Sequence, residues 1–77
     1  DRKSIMEWQN AGLSFQEQFT RFEEEVRLHR RVYALLLRPK ETDREGRWIE
    51  YLARRPGIER TVTYPGVTIY VIPGGAP

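Results

Sequence analysis

The chain has 77 residues, of which 39% are hydrophobic, 12% aromatic and 31% charged, the make-up of one small globular domain. Chains of this length bury only about 60% of the surface that unfolding exposes, and without cysteine neither a disulfide nor a thiolate zinc site can staple the fold, so association is the simplest support left. The 13 Lys and Arg against 11 Asp and Glu leave a net charge of +2, and pairs such as Glu23 with Arg27 and Glu50 with Arg54 have the i, i+4 spacing of a solvated helix face.

No methionine precedes Asp1 and no charged-then-apolar signal segment follows it, so the sequence reads either as lacking residues upstream or as trimmed. Ser4 with Glu7 is the first of three capping-box patterns, in which a hydroxyl and a carboxylate three residues apart satisfy the free N–H groups of a helix start. It opens a short helix that stops at Gly12. Ser14 with Glu17 opens a longer one. There Phe15, Phe19, Phe22 and Val26 recur at steps of four and three and line a core face, with Gln16, Gln18, Arg21, Glu23 and Glu24 elsewhere.

The run 31–38 admits two readings. Either the Phe stripe continues through His29, Tyr33 and Leu36 as one helix, or the apolar run 32–37, fenced by Arg on both sides, is a strand buried on both faces. The strand is favoured, because a helix there would be apolar nearly all round and would leave the C-terminal hairpin as an isolated two-stranded sheet. Thr42 with Glu45 then opens a helix over 43–55, with Trp48, Tyr51 and Leu52 on one face and Pro56-Gly57 ending it.

Residues 58–64 alternate, placing Ile58, Val62 and Tyr64 on one face of a strand and Glu59, Thr61 and Thr63 on the other. Residues 67–72 are rich in β-branched side chains and follow Pro65-Gly66, so the two strands form a hairpin, with a longer loop or a bulge expected at the turn. Residues 73–77 have nothing to bury and read as a flexible tail or linker after a single domain of residues 1–72.

The expected fold class is α+β, an N-terminal helix followed by a βαββ unit, with helices packed on a three-stranded mixed sheet. From Arg31 to Ile72 this arrangement resembles the opening half of a ferredoxin-like fold, with the first two strands parallel and the last strand between them. The resemblance is one of architecture and implies no activity.

Little in the chain can carry catalysis. His29 is the one histidine and has no serine or cysteine near it in sequence, Ser4 and Ser14 serve as helix caps, and the glycines match no phosphate-binding pattern. Glu23-Glu24-Glu25 points three ways around a helix. A non-enzyme without cofactor or metal is therefore expected. The run 32–37 is too short to cross a bilayer, and a soluble, cytoplasmic protein is expected.

Two binding roles follow. If 32–37 were helical, the next helix and the hairpin would resemble a winged helix-turn-helix in which Arg44, Arg47, Arg54 and Arg55 contact nucleic acid. Against this, residues 39–41 leave no room for the middle helix of that motif, and the hairpin tip has no basic residue. The favoured role is a non-catalytic protein-interaction or regulatory module that forms a homodimer, or docks on a larger protein, through its sheet. Tyr33, Leu35, Leu37, Tyr70 and Ile72 are the expected interface, as strand residues facing away from the helix over 43–55. The competing arrangement is a plain monomer in which the two longer helices take one sheet face each.

Overall fold

The computed structural model describes residues 4–77, so the first three residues of the expected domain lie outside it. The chain runs α1 (Ile5–Asn10), α2 (Phe15–Leu28), β1 (Arg31–Leu37), α3 (Pro39–Thr42), α4 (Arg47–Arg54), β2 (Arg60–Tyr64) and β3 (Val67–Pro73). Local chemistry accounts for the first two starts. Ser4 Oγ accepts from Met6 N at 3.2 Å. At α2 both halves of the capping box form, with Glu17 N donating to Ser14 Oγ at 3.2 Å and Ser14 N donating to Glu17 Oε1 at 2.9 Å.

The third capping box does not form. Thr42 ends α3, and its hydroxyl turns back to donate to the Leu37 carbonyl at 2.7 Å. Asp43 caps α4 in its place: its two carboxylate oxygens accept from Trp48 N and Ile49 N, each at 3.0 Å, across the tight bend at Gly46. A charged acceptor at the positive end of a helix is a stronger cap than a hydroxyl, so α4 starts at Arg47 and is shorter than the capping pattern suggested.

Residues 31–37 form a strand, and the three strands lie in the order β1-β3-β2. Because β3 inserts between two strands that run the same way, both pairings are antiparallel and the sheet is antiparallel throughout, not mixed. The hairpin turn is also tighter than expected. Pro65 and Gly66 alone connect β2 to β3, with Gly66 at φ +78°, the left-handed conformation that the second central residue of a type II turn requires.

The core lies on one side of this sheet. Phe22 and Val26 from α2, Trp48 and Leu52 from α4, Leu36 from β1, and Tyr70 and Ile72 from β3 are buried together. Trp8 from α1 and Phe19 and Tyr51 pack around them. Gln18, which the Phe periodicity places off the core face, is buried as well, because its amide bridges two elements. Its Oε1 accepts from Trp48 Nε1 at 3.0 Å and its Nε2 donates to the Leu13 carbonyl at 3.0 Å.

Of residues 73–77, read from composition as a flexible tail or linker, Pro73 ends β3 and the others are tied to the junction of α2 and β1. Gly74 N donates to Arg30 O at 2.7 Å, Gly75 N to Val26 O at 3.0 Å and Ala76 N to His29 O at 3.2 Å. These bonds hold the C-terminal residues against the last turn of α2, its cap His29 and the start of β1. The approach is so close that a Cβ on Gly74 would stand 1.7 Å from the His29 carbonyl oxygen. Gly74→Ala is therefore expected to cost about 1–3 kcal/mol in urea denaturation, the range for a forced steric overlap. Unchanged stability would contradict the docked tail.

Candidate functional site

The sheet has a second face that no helix covers. Directly opposed residues of an antiparallel sheet share a face, so the register sorts the strands into rows. Val32 with Ile72, and Ala34 with Tyr70, face the helices. On the other side lie four rows: Arg31 and Pro73; Tyr33, Val71 and Arg60; Leu35, Ile69 and Val62; Leu37, Val67 and Tyr64. Arg31 and Arg60 are the charged residues in these rows, and Val71 beside them is 3% exposed. Tyr33, Leu35, Leu37 and Tyr64 are 58%, 50%, 54% and 56% exposed, the normal state of polar residues and not of a continuous apolar layer.

The expected interface divides between the two faces. Tyr33, Leu35 and Leu37 lie on the open one, as alternation along β1 requires. Tyr70 and Ile72 do not. They are 7% and 0% exposed on the helix side, since the register opposes them to Ala34 and Val32. Their places on the open face are taken by Val67, Ile69 and Val71.

Val62 and Tyr64 also belong to the open face, although Ile58, which the alternation groups with them, packs into the helix-side core. The parity changes at the start of β2. Glu59 N donates to Val71 O at 2.9 Å while Arg60 is the register partner of the same Val71, so two residues meet one in the manner of a bulge and the following side chains flip.

Charge is confined to one end of this surface. Arg31 Nη2 lies 3.3 Å from Glu59 Oε1, and Arg31 is held above its ordinary pKa first by its hydrogen bond with Tyr33 and then by the Glu59 charge. The strongest polar cluster lies elsewhere, between α2 and α4. Arg55 Nε and Nη2 donate to the two oxygens of Glu23, each at 2.8 Å, and the Tyr51 hydroxyl donates to Glu23 Oε2. The hydrogen bonds from Arg55, with a smaller one from Tyr51, hold the Glu23 carboxyl below its ordinary value despite partial burial. Burial and then Glu23 push the Tyr51 hydroxyl up to about 12.

The four arginines considered for nucleic acid are differently employed. Arg55 is held by Glu23, and Arg54 lies 3.1 Å from Glu50. Arg47 places its guanidinium 4.5 Å from the Phe15 ring centroid, and Arg44 is exposed. The winged-helix arrangement needed a helix at 32–37, where the chain is a strand. His29 follows the last residue of α2, with its Nδ1 2.8 Å from the Glu25 carbonyl. Among the described residues no three His, Asp or Glu side chains gather as metal ligands, and no helix is long and apolar enough to cross a membrane.

Comparison with protein-family models, curated proteins and solved structures gives no match.

The Glu23 site makes a pH prediction. A carboxyl whose folded pKa is depressed contributes stability that is present above its unfolded pKa and is lost as pH falls through the folded one. Between about pH 6 and pH 3 the wild type should therefore lose its advantage over Glu23→Gln in urea denaturation. A gap that stays constant across that range would contradict the Arg55 assignment.

Proposed function

We propose that this protein is a non-catalytic interaction module whose copies associate by packing the open faces of their sheets. The strand–helix–strand–strand unit is read as half of a ferredoxin-like fold, a reading that the order β1-β3-β2 supports. What carries the proposal is the composition of the open face, where Tyr, Leu, Ile and Val fill the rows and the two charges, Arg31 and Arg60, stand at one end.

A second copy is the occupant because the surface is self-complementary in chemistry and adequate in size. A flat apolar sheet face has no groove for a peptide and no charge pattern for a polar partner, whereas two such faces pack as the layers of a sandwich. Covering the exposed halves of Tyr33, Leu35, Leu37 and Tyr64 on both copies, with Val62, Val67 and Ile69 between them, removes on the order of 1,000 Å² from water, the threshold for a specific interface. The same burial supplies core that a chain of this length otherwise lacks. The nucleic-acid reading has no comparable support, since two of its four arginines are spent on Glu23 and Glu50.

Light scattering on the wild type should give at least twice the 9.2 kDa chain mass. Ile69→Glu, placed in the middle of the open face, should halve that mass and leave the helical circular dichroism intact. Tyr70→Glu puts the same charge in the helix-side core and should unfold the chain. A wild-type monomer, or an Ile69→Glu particle of unchanged mass, would refute the proposal.

A further inference from the structure

The outer edge of β1 presents a second surface, distinct from the open face. Arg38 N donates to Gly66 O at 2.8 Å and Gly74 N to Arg30 O at 2.7 Å, which marks these as the hydrogen-bonded pairs just beyond the two ends of the β1–β3 ladder. Bonding alternates along an antiparallel ladder, so Val32, Ala34 and Leu36 bond to β3 while Arg31, Tyr33, Leu35 and Leu37 turn their N–H and C=O groups outward. Among the described residues, the one outward group with a partner is the Leu37 carbonyl, which accepts from Thr42 Oγ1 at 2.7 Å.

Proteins protect such edges by shortening them, or with charge or proline. The other edge of this sheet is protected in that way. β2 has five residues, and its outward backbone belongs to Thr61 and Thr63 alone. β1 has seven, and nothing between Arg31 and Arg38 is charged or is proline.

We propose that β1 pairs edge to edge with β1 of a second copy, antiparallel about Ala34, so that two sheets join into one of six strands. In this register Tyr33 lies opposite Leu35 of the second copy and Arg31 opposite its Leu37. The outward groups of Tyr33 and Leu35 are then used in full, while the Leu37 carbonyl keeps its bond from Thr42 Oγ1. Ala34 meets its own copy at a pair without hydrogen bonds, where strands approach most closely and the smallest side chain fits best. The charged ends are compensated, Arg31 by Glu59 and Arg38 by Glu41 at 3.4 Å.

A two-fold axis normal to the sheet keeps both open faces on the same side. The inference rests on the association read from those faces and adds to it. Two six-stranded sheets packed face to face close the assembly at four copies.

The test is residue-resolved amide hydrogen exchange on the wild type over a dilution series, with light scattering on the same samples. Face packing alone leaves both sheet edges in water. Edge pairing protects the Tyr33 and Leu35 amides and leaves Thr61 and Thr63 unprotected. We expect Tyr33 and Leu35 to exchange at least tenfold more slowly than Thr61 and Thr63, a difference that disappears on dilution as the mass falls. Equal exchange at the two edges in a particle that is still associated would overturn the edge pairing and leave face packing standing. Protection that ignores dilution would overturn it too, and a monomer at every concentration would overturn both.

Discussion

Trp48 decides which side of the sheet the helices occupy. The connection from β1 to β2 lays α4 against one face, and Trp48 points from α4 into the centre of that layer, 1% exposed. Its ring lies 6.3 Å from Trp8 of α1, and 4.9 and 5.4 Å from Phe19 and Phe22 of α2, in stacked and edge-on contacts, while its N–H donates to Gln18. The indole thus draws the N-terminal helices to the side where α4 already lies. Removing such a side chain costs about 3–5 kcal/mol. Here the loss would also release α1 and α2 from their common anchor.

The bare face of the sheet is the consequence. A helix order in which α2 took one face and α4 the other would have made a closed three-layer monomer, and the aromatic cluster around Trp48 is incompatible with it. Phe19 stacks on Tyr51 with ring centroids 4.1 Å apart, and Arg55 of the α4 end reaches back to Glu23 of α2, so the two helices are fastened to each other by packing and by charge. One layer of helix has to serve a sheet whose residues are apolar on both faces. The side without helices is the surface through which copies are proposed to associate.

Local signals were legible in the sequence where one residue pair decides the outcome. Ser14 with Glu17 started α2 as written, and the Arg-fenced run became β1. Tyr33, Leu35 and Leu37 could be assigned to one face because alternation within a strand is rigid. What was not legible depended on phase between elements. Tyr70 and Ile72 went to the helix side because of the β1–β3 register, which is set by pairing and not by anything within β3. Val62 and Tyr64 changed faces through the extra residue at Glu59 and Arg60. Asp43 displaced Thr42 as a cap since a carboxylate reaching back across Gly46 has no fixed spacing pattern, and Gln18 was misplaced because a buried amide is decided by its partner, Trp48.

If a second copy supplies part of the core, as proposed, linkage gives a direct test. Stability that comes from association grows with protein concentration, whereas stability held within one chain does not. Urea unfolding followed by tryptophan fluorescence over about a hundredfold range of protein concentration should show a midpoint that rises steadily with concentration, loss of the Trp48 environment reporting loss of the core. A midpoint that stays fixed across the range would mean that each chain is stable with its open face in water, and would contradict the account.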